Sequence, residues 1–158
     1  MKKVTGVISA LSIIAFLGSC KTINCTTPVI SKIVFYSSIS TNLIPDSTAT
    51  LVKSTKGTNF AQIAEIYPTI NLTRIDYNKR LTLPDKGNDT YDYDWMVTLH
   101  PSNRTYKITK ISHESLTSKS SDCTNTVSYK INDSLVTVPG NPYSSIPNFV
   151  SDIQIPYN

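Results

Sequence analysis

The chain is poor in the residue types that most catalytic and cofactor chemistry needs. Among 158 residues there are two histidines, His100 and His113, three cysteines, five glycines and a single tryptophan. His100 sits beside Pro101, and His113 is followed by Glu114 and Ser115; neither has cysteine or carboxylate partners at the spacing of a zinc site. A hydrolase built on either histidine with nearby carboxylates is the least favoured reading, because neighbours in sequence do not by themselves make a triad. No nucleotide motif occurs. Charged residues make up 16% of the chain. The basic ones are scattered at Lys53, Lys56, Arg74, Lys79, Arg80, Arg104, Lys107 and Lys110, so a pI near 8.9 does not describe a nucleic-acid-binding stripe. No helical run of the length of a βαβ crossover is found, which excludes a parallel α/β sheet. The chain is therefore expected to carry no catalytic residue, no metal, no cofactor and no nucleic acid.

What is present is a series of short β-rich runs between turns. Val29 to Tyr36, Thr48 to Lys53, Ile70 to Tyr77 and Arg80 to Leu83 are β-branched or aromatic, and Lys56-Gly57-Thr58-Asn59 and Asp85 to Asp89 are turn signals. Phe60 to Tyr67 is ambiguous: Phe60, Ile63, Ala64 and Tyr67 have helical spacing and Asn59 is a possible cap, so one short helix near residues 60–67 is kept open. The clearest alternation puts Tyr91, Tyr93, Trp95, Val97 and Leu99 on one face of a strand and Asp92, Asp94, Met96 and Thr98 on the other. That strand is expected to pair with Arg104 to Ile111 across His100 to Asn103. Thr124 to Ile131 and Ser134 to Val138 form a second hairpin across Asn132-Asp133. After Pro139 a loose link leads to an edge strand around Phe149 to Ile155. The pattern predicts an all-β, small antiparallel sandwich, with a small barrel as the alternative.

Three clusters invite chemical readings. Asp89, Asp92 and Asp94 gather carboxylates within a few positions, but not at calcium-loop spacing, and are read as an exposed charged face. Tyr91, Tyr93 and Trp95 would make a sugar-stacking platform if their face were open; their register with Val97 and Leu99 favours core. Asp46-Ser47-Thr48 and Asp133-Ser134-Leu135 are similar to the Asp-Ser/Thr-aliphatic sequon of O-glycosylation in some Gram-negative envelopes.

The N-terminus is the most specific part. Lys2 and Lys3 precede an uncharged run from Val4 to Leu17, shorter than the ~20 apolar residues of a membrane-crossing helix. It ends in Leu17-Gly18-Ser19-Cys20, which resembles the lipobox of bacterial lipoproteins. The resemblance implies cleavage after residue 19, acylation of Cys20, and a chain anchored to a bilayer leaflet without spanning it. Lys21 in place of an acidic sorting residue favours the outer membrane by analogy. The absence of an acidic run in Lys21 to Asn24 favours the periplasmic leaflet over the cell surface.

Removing residues 1–19 from the 158 leaves 139, one domain's worth, and of 15 basic residues two leave, giving 13 against 11 acidic. The expected organisation is a cleaved signal peptide at 1–19, a lipidated tether at 20–27 and a single β-domain at 28–158. With Cys20 acylated, Cys25 and Cys123 remain, and an oxidising envelope predicts that they are bridged. As a whole the chain resembles small Gram-negative envelope lipoproteins with a cysteine-framed β-domain. That resemblance implies a non-enzymatic interaction module for a protein or glycan partner, or a structural component of the outer membrane.

Overall fold

The computed structural model describes residues 27–37, 43–84, 88–117, 123–139 and 152–157. Among them ten strands follow in chain order: β1 (Lys32–Ser37), β2 (Thr48–Thr55), β3 (Ile63–Asn71), β4 (Thr73–Ile75), β5 (Asn78–Thr82), β6 (Tyr93–His100), β7 (Thr105–Thr117), β8 (Cys123–Ile131), β9 (Ser134–Pro139) and β10 (Ile153–Tyr157). A short 3-10 segment, Asn88–Asp92, precedes β6. The strands form two sheets, one in the order β10-β1-β5-β4 and one in the order β3-β2-β6-β7-β8-β9. Only β1 against β10 is parallel; the other pairings are antiparallel. Neither sheet closes on itself, so the fold is the all-β sandwich and not the barrel.

Period-two alternation builds the core. Ile33 and Phe35 of β1, Leu81 of β5 and Ile153 and Ile155 of β10 turn inward from the small sheet. They meet Ala49 and Leu51 of β2, Trp95, Val97 and Leu99 of β6, Ile108 of β7 and Val127 and Tyr129 of β8. Phe35 reaches Tyr106 of the opposite sheet, ring centroids 5.7 Å apart. The layers are also joined by polar bonds: the Tyr129 hydroxyl accepts the Gln154 N–H at 2.9 Å, satisfying a donor on the edge strand β10.

The two hairpins expected from the sequence form, β6 with β7 and β8 with β9. Asn132 and Asp133 both take positive φ (46° and 72°), the twist that a two-residue connection needs to match its strands. The C-terminal edge strand also forms, starting four residues and ending two residues later than expected, and the link before it lies outside the described residues.

Three expectations are corrected. Residues 60–67 contain no helix: the chain turns through Thr58 to Gln62 and enters β3 at Ile63. The Ile63 to Asn71 stretch pairs with β2, and pairing along a sheet edge outweighs the helical spacing of its apolar residues. Ile70 to Tyr77 is not one strand, because the chain leaves the large sheet at Asn71, buries Leu72 while its N–H donates to the Ser47 carbonyl at 2.9 Å, and resumes in the small sheet at Thr73. Asp94 is not on a solvent face; it is 2% exposed.

The sandwich has two distinct ends. At one, the Pro28 carbonyl accepts the Tyr91 hydroxyl at 2.7 Å, and the Lys56 ammonium donates to the carbonyls of Tyr91 and Ile111, both at 2.8 Å. β1 runs from this end to the far one, where Phe35 pairs with Lys79 and Ser37 with Tyr157. The far end also holds the start of β2 and the end of β6, since Thr48 pairs with His100.

Candidate functional site

The far end carries a concave site of about 170 Å³ between the segment Leu43–Ile44–Pro45 and the β4–β5 hairpin. Its wall on the segment side is fixed by burial and by one carboxylate. Ile44 drops into the core, 3% exposed, and Asp46, fully buried, accepts the Ser102 N–H at 2.8 Å. Leu43, between core and solvent, stays 53% exposed at the rim.

The opposite wall is a tight hairpin. Asp76 takes φ 53°, a left-handed conformation that a short polar side chain tolerates, and the chain reverses over Asp76 and Tyr77. That turn sets Ile75 opposite Asn78 and Arg74 opposite Lys79. Lys79 is also paired with Phe35, an inward residue, so Lys79 and Arg74 lie on the core-facing side of the small sheet where the sandwich opens. The Arg74 Nε donates to the Asp76 carbonyl at 3.0 Å, which orients the guanidinium along the hairpin. Tyr77 is 51% exposed beside these groups. The site therefore combines two cations, one carboxylate and an open aromatic ring.

A buried polar cluster backs this end. Arg104 lies over the Tyr157 ring, 4.2 Å from its centroid. Burial, with the Asp46 carboxylate adding to it, pushes the Tyr157 hydroxyl above its ordinary pKa. Burial likewise raises Tyr106, against the opposing charge of Arg104. The cluster holds the 43–46 segment against the His100 to Arg104 turn.

The residues singled out in the sequence lie elsewhere. Tyr91, Tyr93 and Trp95 do not form an open platform, because β6 delivers its inward residues to the core. Trp95 is fully buried and its Nε1–H donates to the Thr90 carbonyl at 3.3 Å. Tyr91 belongs to the 3-10 segment, not to the strand; it is 9% exposed, packs on His113 with centroids 5.0 Å apart, and its pKa is pushed up to about 12 by burial. Tyr93 is half-buried, its ring covered by the Lys53 ammonium at 4.0 Å.

The histidines are separated. His100, at the far end, meets Thr50 Oγ1 at 3.0 Å and Asn103 Oδ1 at 3.2 Å, whereas His113 is at the opposite end against Tyr91. Among the described residues no group of three His, Cys, Asp or Glu side chains is placed to hold a metal. Of the two O-glycosylation-like triplets, Ser47 and Ser134 are both exposed, while Asp46 of the first is consumed in the far-end cluster. Cys20 and Cys25 lie outside the described residues.

Sequence reading missed Leu43, Arg74, Asp76, Tyr77 and Lys79 as a group. The available signal was the step Arg74-Ile75-Asp76-Tyr77-Asn78-Lys79, a two-residue turn flanked by cations that a hairpin brings face to face. Comparison with protein-family models, with curated proteins and with solved structures finds no match for this chain.

Proposed function

We propose that the chain is an envelope lipoprotein, held to a bilayer leaflet by acylated Cys20, whose sandwich serves as a non-enzymatic binding module with its pocket turned away from the membrane. The observation that carries this reading is the Leu17-Gly18-Ser19-Cys20 step behind Lys2, Lys3 and the apolar run. A thiol at that position is the nucleophile needed to form a thioether to a diacylglyceryl group. Three acyl chains at ~0.8 kcal/mol per buried methylene make such attachment lasting.

The geometry of the domain supports the orientation. Thr27 and Pro28 lie at the Tyr91 end, and seven residue steps from Cys20 to Thr27 span at most about 25 Å. A tether that short keeps the Tyr91 end near the bilayer and presents the far-end pocket outward. The outer membrane, periplasmic leaflet, is the favoured location. An oxidising compartment also brings a Cys25–Cys123 bridge into the proposal. In its support, β8 starts at Cys123 and soon pairs Val127 with His113, beside the Tyr91 that holds Pro28, three residues after Cys25.

Membrane fractionation tests the anchor. The wild-type chain is expected in the membrane fraction through high salt and alkaline carbonate, and a Cys20→Ser variant in the soluble fraction; equal behaviour of the two would overturn the reading. A second reading, an assembly component of the outer membrane, draws on β3, an edge strand with Ile63 and Ile66 each 53% exposed. Crosslinking in intact cells followed by pull-down separates the two, since one protein partner captured under all conditions through β3 favours assembly.

A further inference from the structure

The pairing of Arg74 with Lys79 directly across β4 and β5 is unfavourable on its own terms, because like charges opposite each other in an antiparallel pair repel. Both side chains line one cavity at the mouth of the sandwich. Concentrating positive charge in a concavity backed by an apolar core strengthens its field relative to an open surface. An anion seated between the two cations removes the repulsion and gains charge-assisted hydrogen bonds; the Arg74 guanidinium keeps its terminal nitrogens for a two-point contact, since Nε is committed to the Asp76 carbonyl.

The remaining lining restricts what the anion is attached to. Tyr77 offers an exposed flat ring, which the C–H face of a sugar covers. The exposed carboxylate of Asp76 accepts hydroxyl protons. A free inorganic anion has no use for the ring or for Asp76, and the Asp76 charge opposes it. At about 170 Å³ the cavity is below the ~300 Å³ lower end of drug-sized clefts, so it admits one ring and not a whole oligosaccharide.

Resting on the binding-module reading, we infer that the far-end pocket recognises a single sugar ring bearing an anionic group, carboxylate or phosphate, as a terminal or side residue of a larger glycan. Arg74 and Lys79 hold the anion, Tyr77 stacks on the ring, and Asp76 takes a hydroxyl.

The test is a titration of the full processed lipoprotein in detergent micelles, followed by amide chemical shifts. The probes are galacturonate, glucose 6-phosphate, galactose and inorganic phosphate. Saturable shifts confined to residues 43–45 and 74–79 are expected with one or both of the charged sugars, and whichever is tighter identifies the carboxylate or the phosphate as the source. Galactose and inorganic phosphate are each expected to bind at least about tenfold more weakly, the loss of one charge-assisted contact or of the stacking contact. An Arg74→Gln, Lys79→Gln double variant removes the charged-sugar shifts, and Tyr77→Ala weakens them while preserving the folded spectrum. Galactose binding as tightly as galacturonate, phosphate binding as tightly as either sugar, or no shift at these residues overturns the inference. Each of those results leaves the anchoring at Cys20 untouched, because fractionation reads that separately.

Discussion

The carboxylate of Asp94 on β6 accepts the backbone N–H of Gly57, thirty-seven positions earlier, at 2.8 Å. Its other oxygen accepts the Lys110 N–H at 3.3 Å. Gly57 (φ 78°) and Lys110 (φ 54°) both have left-handed backbones, one in the β2–β3 turn and one in the β7 bulge between Thr109 and Ser112. One buried side chain therefore pins two irregular points on either side of its own strand. Hydrogen bonds to a charged acceptor contribute about 1.5–3 kcal/mol. Asp94→Ala is expected to lower unfolding free energy by about 2–4 kcal/mol, with Asp94→Asn losing less, as read from urea midpoints at constant m-value.

The Tyr129 hydroxyl is the cross-layer partner of Gln154, accepting its N–H at 2.9 Å and donating to its carbonyl at 3.3 Å. Tyr129→Phe keeps the ring but leaves a donor on β10 without that partner, at an expected cost of about 1–3 kcal/mol. Hydrogen exchange locates the effect: the Gln154 amide loses protection ahead of the β2 and β6 amides.

Alkali is expected to destabilise the fold from about pH 10. Tyr91 has an ordinary pKa of 10.0 and in the folded chain about 12, because burial disfavours the phenolate. Below the unfolded value both states hold the proton and the contribution is complete. Between the two values the unfolded chain ionises first and stability falls; above the folded value the contribution is gone. Tyr106, Tyr129 and Tyr157 act in the same direction, each chiefly through burial. Tyr91→Phe should flatten the decline of stability between these pH values by close to one proton, measured by urea unfolding at stepped pH.

Cys25 and Cys123 are expected to be joined in protein taken from the envelope. Alkylation without reductant should then add no mass at either position, and alkylation after reduction should add two adducts. The chain-entropy model gives a loop of this length several kcal/mol, about 4.7 for a hundred residues, so reduction should lower the melting temperature sharply. Two adducts without reductant would remove the bridge from the account.

Much of the fold was legible because alternation is a direct imprint of a sheet with one buried face. Trp95, Val97 and Leu99 announced β6, and Asn132-Asp133 announced the turn between β8 and β9. The failures fall where a local pattern was outvoted by pairing. Phe60 to Tyr67 has helical spacing, yet β2 offers Ile63 to Asn71 an edge to bond to. Asp94 alternates outward, yet the turn at Gly57 and the bulge at Lys110 fold over it and bury it. The pocket was illegible for a different reason. Its two walls, 43–45 and 74–79, come together through a change of sheet at Leu72 that no periodicity records.

The measurement that bears most directly on the account is the mass of the N-terminal peptide of the processed chain, purified from membranes. A peptide that begins at Cys20 and carries a thioether-linked diacylglyceryl group, with or without a further acyl chain on its amino group, is the predicted result. A peptide that begins at any other residue, or begins at Cys20 with an unmodified thiol, contradicts it.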